Sequence, residues 1–384
     1  MCLIDLIKEN ECKMAQKEKI SIHQFTVLII LITIGDAILV LPAIVTEFAK
    51  QDAWLSTILG LAFGLVIVYL YSVVGCLYPK LNLVQYSDKI LGKWFGFIVS
   101  IFFLGYLFLS ATAHVRELGD FITAQILTQT PIQIIHFMFI FLIVMIVRSG
   151  LEPLARTGEL LFPIVITFLI ILLALVLPNV HMNWVQPILA NGIKPLLKGS
   201  LVATAFPFME LVVFLMILPS VNVQKKIRKG FFIGAIIGGI VLILTVLLCI
   251  LVLGESATSR NIYPTFTLAR VIHIGEAVQR IEGLIAVTWT ITAFLKISLY
   301  IYAFHIGLVH LLKLDGYRIL TFPIGMVLFA SAILVSPNIS YFYNMIAYYW
   351  PFYDLTVAVF LPLLLLSVFG IRKKIDSLSA LEKQ

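Results

Sequence analysis

The sequence predicts an all-α integral membrane protein with ten transmembrane helices and both ends in the cytoplasm. Three observations carry this. Of the 384 residues, 61% are apolar and only 12% charged, and the mean hydropathy is +1.06; a soluble domain has too little interior to bury that much apolar surface. Uncharged runs of at least eighteen residues recur, as at 54–78, 160–177 and 231–254, each long enough to cross a ~30 Å hydrocarbon core as a helix. The basic residues are also distributed unevenly among the loops. The short alternating segments of a membrane barrel do not occur.

The predicted spans are 22–46, 54–77, 95–127, 131–148, 153–177, 195–219, 229–253, 281–311, 318–335 and 350–371. With the N-terminus inside, nineteen Lys and Arg fall on inner segments and six on outer ones, while Arg116 and Lys296 lie within spans. That asymmetry is the positive-inside signal. It also accounts for the net charge of +7 without nucleic-acid binding. The organisation that follows is a polar cytoplasmic tail at 1–20, a transmembrane domain at 21–371 with halves at about 22–177 and 195–371, and a basic cytoplasmic tail at 372–384. The first tail lacks the apolar stretch of a signal peptide, and Met14 offers an alternative start that would make 1–13 a start-site artefact. Cys76 and Cys249 lie inside spans and Cys2 and Cys12 in the tail, which is no disulfide framework. Of the two long outer connections, 178–194 is expected to lie at the interface through Trp184, and 265–276 to form a surface helix. The run Lys225-Lys226-Ile227-Arg228-Lys229 reads as a topology signal, with anionic-lipid contact as a secondary effect.

Two spans carry breaks at matching depth. Span one reads Thr33-Ile34-Gly35-Asp36-Ala37 and leads to Pro42; Gly35 lies ~20 Å from its inner end at helical rise. Span six reads Ala205-Phe206-Pro207-Phe208-Met209-Glu210, with Pro207 ~18 Å from its outer end. Proline removes a backbone donor and clashes with the preceding turn. The two spans run in opposite directions and open the two halves of a five-plus-five arrangement. Paired interruptions of this kind point to the midplane site of an inverted-repeat transporter fold. Unwound backbone there offers N–H groups to an anion and C=O groups to an ammonium or cation.

Ionisable residues within spans are costly and mark partners or pathways. Asp36 has two roles open to it: binding a ligand amine or cation, or capping the outer half of span one. Glu210, three residues after Pro207, is expected to face the same cavity. Lys296 lies about fifteen residues into span eight, too deep to snorkel. It is either a tethered cation in the place of a coupling ion or a structural partner for Glu210 or Asp36. Arg116 and Asp120 share a face at i, i+4, as do Glu152 and Arg156. Tyr106 and Ser110, one turn apart in span three, are placed to offer hydroxyls to a central cavity. No metal-ligand cluster, nucleophile elbow or phosphate-binding loop occurs, and the seven histidines are scattered. No enzyme activity, cofactor or metal is expected.

These residues resemble the B-subunit family of spore germinant receptors, the spore germination permeases of the amino acid–polyamine–organocation superfamily. The resemblance runs from Ile20 to about Ile371. It is carried by Ile20-Ser21-Ile22-His23-Gln24, Gly35 to Pro42, Asp52-Ala53-Trp54-Leu55, Tyr78-Pro79-Lys80-Leu81-Asn82-Leu83 and Leu91-Gly92-Lys93. Thr130-Pro131, Gly150-Leu151-Glu152-Pro153-Leu154-Ala155-Arg156, Phe206-Pro207-Phe208-Met209-Glu210 and Phe294-Leu295-Lys296-Ile297 complete it. It implies a LeuT-like ten-helix inverted repeat in the spore inner membrane, working with A-type and C-type subunits. It further implies recognition of a nutrient, commonly an amino acid, in a pocket built from Gly35, Asp36, Ala37, Tyr106, Ser110, Phe206, Pro207, Glu210, Thr292 and Lys296. The chain departs from the family's Gly-x-Gly form in span one, with Gly35-Asp36-Ala37. A sensor that signals through partners, a secondary amino acid or amine transporter, and a channel or scaffold subunit share this outline.

Overall fold

The computed structural model describes residues 19–271 and 281–381. Helices run α1 (Ile22–Ile34), α2 (Ala37–Ala49), α3 (Ala53–Gly75), α4 (Leu83–Leu91), α5 (Lys93–Gln125), α6 (Ile132–Ser149) and α7 (Leu151–Val176). They continue as α8 (Ile193–Phe208), α9 (Ile227–Arg260), α10 (Pro264–Arg270), α11 (Glu282–Leu312), α12 (Thr321–Leu334), α13 (Ile339–Tyr348), α14 (Trp350–Asp354) and α15 (Leu361–Leu381). Among the described residues the only extended pairing is one isolated bridge between Ile20 and Val221. Local sequence fixes several starts. Ser21 and Gln24 form a reciprocal capping box before α1, and Asn82 and Gln85 do the same before α4, each satisfying two orphan backbone donors.

Helix length and composition do not return ten spans. Eight described helical stretches are long and apolar enough to cross a bilayer, or nine if the bent pair Arg318–Leu334 and Ile339–Tyr348 counts as one. The reason is physical. Gly35 and Asp36 divide the first expected span into two thirteen-residue helices, each ~20 Å long and too short to cross alone. The second of these runs through one 3₁₀ turn, Lys50–Asp52, directly into α3. The pair α12 and α13 is bent by 98°. Span seven is interrupted as well: Gly254, at φ +76° within α9, lets the chain turn against the Trp184 ring.

Burial sorts the helices into centre and periphery. In the Ile193–Met216 stretch 94% of the apolar window is buried inside the protein, against 22% in Leu151–Asn179. Span six is therefore central, and α7 turns most of its surface outward. Exposed Phe137, Met138 and Phe141 on α6 and Leu160 and Ile170 on α7 form that outward apolar surface, the arrangement a lipid solvent requires.

Spans one and six lie antiparallel. At one end the Ile20 N–H donates to Ser220 O and the Asn222 N–H to Ile20 O, so the start of α1 meets the end of span six. At the other end Asp52 accepts the Leu189 N–H at 3.0 and 3.1 Å, and the Ser56 hydroxyl donates to Leu196 O at 2.9 Å. The connection 178–194 holds two 3₁₀ turns, with Trp184 partly exposed. The expected surface helix at 265–276 is corrected. Its described part, α10, is mostly buried, and Thr265 donates to Ile38 O at 2.6 Å; residues 272–280 lie outside the described residues, as do 1–18 of the first tail. Cys76 and Cys249 are both free thiols.

Candidate functional site

The break in span one is built by Gly35. Its backbone sits at φ +27° and ψ −130°, a conformation that residues with a Cβ rarely adopt. A Cβ there would stand 2.6 Å from Ile32 O and 3.1 Å from Lys296 Cδ. α1 ends on the Gly35 N–H, which donates to Leu31 O at 2.8 Å. The Thr292 hydroxyl of α11 stands 3.2 Å from Gly35 O, alongside carbonyls of its own helix. Of the two roles open to Asp36, capping is not the one taken: its side chain makes no cap bond to α2 and turns to Lys296.

Span six differs from the expected break. α8 passes through Pro207 to Phe208, and the chain then tightens into an eight-residue 3₁₀ segment, Met209–Met216. The proline removes a helical donor, and the chain responds by shifting its hydrogen-bond register rather than opening a gap. Eight residues is long for a 3₁₀ run. Two tyrosines support it from neighbouring helices: Tyr71 OH donates to Met209 O at 2.8 Å and Tyr300 OH to Glu210 O at 2.9 Å.

Lys296 joins the two interruptions. Its ammonium contacts both Asp36 Oδ1 and Glu210 Oε2, and all three side chains are buried. His114 Nε2 lies 3.5 Å from each of the same two oxygens, while its Nδ1 faces Ser110 O. A buried ammonium between two carboxylates repays its desolvation only through such close pairing. Asp36, His114 and Glu210 place ligand atoms within 4.8 Å of one another, the only such group among the described residues. The Lys296 ammonium already contacts both carboxylates, so a metal ion there would meet a fixed positive charge. The crevice reaching Glu117, lined by Val40, Ile262, Tyr263, Phe342 and Tyr343, holds about 10 Å³, hardly room for one water. Asp36, His114, Glu210 and Lys296 are themselves all buried, so the cluster is closed to solvent in this conformation.

Of the residues singled out in the sequence, Gly35, Asp36, Glu210, Thr292 and Lys296 come together here. Ala37, Phe206 and Pro207 are buried beside them in α2 and α8. Ser110 meets the cluster through its carbonyl, and its buried hydroxyl has no partner. Tyr106 does not join the Lys296 bridge; its hydroxyl donates to Asp354 Oδ1 at 3.0 Å. Sequence reasoning missed His114, Tyr71, Tyr300 and Asp354. Extending the Tyr106–Ser110 stripe by one turn reaches His114, and extending Thr292–Lys296 reaches Tyr300. Arg116 pairs with Asp120 at 2.9 Å, and this pair is buried and anchored by a 2.6 Å bond to Ser336 O. The Arg156–Glu152 pair is surface-exposed.

Fold and site together define a multi-pass helical membrane protein with a transporter-like fold. The chain superposes with Mhp1, a nucleobase-cation-symport-1 family transporter with bromovinylhydantoin bound, at a TM-score of 0.64 and 11% identity, covering 86% of this chain and 75% of that one. It superposes with MhsT in complex with L-phenylalanine at 0.62 and 12% identity, covering 90% and 97%. The chain itself belongs to the spore germination protein family, whose pattern matches residues 19–340. Relatives include spore germination protein KB of Bacillus subtilis, 32% identical over 85% of this chain and 87% of that one. YndE of the same organism is 27% identical over 77% and 82%.

Proposed function

We propose that this chain is the nutrient-sensing membrane subunit of a spore germinant receptor. In this reading it lies in the spore inner membrane with both termini in the cytoplasm and signals to A-type and C-type subunits. Its ten spans form two inverted halves, a reading supported by the antiparallel pairing of spans one and six. One observation carries the proposal: Lys296 bridges Asp36, beside the break in span one, and Glu210, after Pro207 in span six. An entering ammonium group competes with Lys296 for the carboxylates, and an entering carboxylate competes for Lys296. An amino acid offers both, and so can replace the bridge that holds the spans together. Binding then favours the conformation in which the bridge is open, which is the condition for a ligand to shift a population.

The test is germination of spores carrying Gly35→Ala, Glu210→Gln or Lys296→Ala across a nutrient panel, with subunit abundance measured. Loss of response to one nutrient class at normal abundance is expected. Normal responses to every nutrient would remove the site. Kinship of fold with Mhp1, itself a transporter, favours a second reading, alternating-access transport of an amino acid or amine. Accumulation of substrate in liposomes by the purified chain alone would select it.

A further inference from the structure

The last span holds a buried acid that the Lys296 bridge does not use. Asp354 ends α14 and is followed at once by a π-helical stretch, Leu355–Phe360, a widened turn frequent at functional sites. The residue is 0% exposed. Its Oδ1 accepts the Tyr106 hydroxyl, and its Oδ2 has no partner. Among the described residues no Lys, Arg or His nitrogen lies within ion-pair distance of it; Lys296 and His114, which face it from the interior, are engaged with Asp36 and Glu210.

The titratable groups facing Asp354 are Tyr106 and His114 of α5, Tyr71 of α3, Glu210 of span six, and Lys296 and Tyr300 of α11, with Tyr353 beside it in α14. Tyr71 and Tyr300 spend their hydrogens on the carbonyls of Met209 and Glu210. Tyr106 alone turns its hydrogen to Asp354. A carboxylate anion with one neutral donor, in an interior that already holds the Glu210 carboxylate, is the case in which a buried group neutralises instead of ionising. A hard metal cation needs several oxygen ligands; here, among the described residues, the one oxygen that hydrogen-bonds Asp354, the Tyr106 hydroxyl, presents its hydrogen.

We propose that Asp354 is a proton-binding site whose carboxyl carries a proton on Oδ2 in this closed conformation and releases it to water when the bundle opens. The O–H bond breaks, the electron pair stays on the carboxylate, and the proton passes to the entering water. Opening is then linked to proton release. It is favoured as pH rises, the ratio of open to closed changing about tenfold per pH unit while the closed form alone holds the proton. The link rests on the reading above that the bundle opens, whereas the bound proton is detectable in the closed chain without any nutrient.

The experiment is infrared spectroscopy of the full chain in lipid nanodiscs, wild type against Asp354→Asn. The expected difference is the carbonyl stretch of one protonated carboxylic acid, shifted in Tyr106→Phe and indifferent to potassium or sodium at constant pH. If Asp354→Asn fails to fold, Asp354→Glu replaces it and should move that band without abolishing it. No such band in the difference, or a band removed by added potassium or sodium, overturns the proton site. In a chain freed of its native cysteines, thiol labelling at Ser110→Cys then reports opening. The labelling rate should rise more steeply with pH when Asp354 is present than in the Asp354→Asn background, where only the thiol itself titrates. Equal pH dependence in both backgrounds overturns the link to opening. Normal nutrient responses in Gly35→Ala, Glu210→Gln and Lys296→Ala spores, with the band present, count against the receptor reading alone.

Discussion

Replacing Gly35 by alanine tests the break in span one at its origin. The substitution adds one methyl group at a backbone of φ +27°. Holding a residue with a Cβ in so sparsely populated a conformation costs about 1–3 kcal/mol. The methyl carbon would also meet Ile32 O at 2.6 Å and Lys296 Cδ at 3.1 Å. The first is backbone and cannot step aside, and crowding of this kind adds about 1–3 kcal/mol. The two together give about 2–6 kcal/mol. Gly92 is the control: its φ is +86°, but a Cβ there meets nothing within 4 Å, so Gly92→Ala carries only the backbone part. Thermal unfolding of both purified variants in the same detergent measures the difference. Gly35→Ala should unfold at the lower temperature. Equal destabilisation, or a milder effect at Gly35, would refute the close approach of α1, Gly35 and Lys296 on which the site depends.

Lys296→Met leaves Asp36 and Glu210 buried without their shared ammonium and should cost about 3–5 kcal/mol. The triple variant Asp36→Asn, Glu210→Gln, Lys296→Met should recover most of that loss in the same unfolding assay, because it removes the uncompensated charges along with the bridge. Arg116→Ala breaks a buried pair with Asp120 and the bond to Ser336 O, and a loss of about 3–5 kcal/mol is expected. Arg156→Ala, at an exposed pair, should cost under about 1 kcal/mol. Gly64→Ala would place a methyl 2.3 Å from the Phe208 ring. It should destabilise by about 1–3 kcal/mol, and Phe208→Leu in the same chain should relieve part of it.

The features legible in the sequence are those that are local and costly in a bilayer. Gly35 and Pro207 act on the backbone where they stand, and Asp36, Glu210 and Lys296 are conspicuous because charge in a span needs a reason. What Pro207 does is less legible, since a missing donor can open a helix or tighten it. The choice is made by Tyr71 and Tyr300, which donate to the tightened form from α3 and α11 and lie far from Pro207 in sequence. His114 lies one turn beyond the Tyr106–Ser110 stripe, but a lone histidine in an apolar helix carries little weight until the carboxylates opposite it are known. Asp354 is masked by its apparent depth. It stands four residues into the tenth predicted span, which suggests the surface, yet α13 bends away from α12 and the acid is fully buried. Helix length alone returns eight or nine spans among the described residues, because a helix cut in two at Gly35 no longer has the length of a span.

Lys296 holds spans one and six together through Asp36 and Glu210. The most direct measurement is a density map of the proposed receptor complex in the presence of a nutrient that triggers germination. It should show nutrient density against Gly35–Ala37 and Glu210, with the Lys296 ammonium withdrawn from at least one of its two carboxylates. Nutrient density elsewhere, with Lys296 still bridging Asp36 and Glu210, would contradict it.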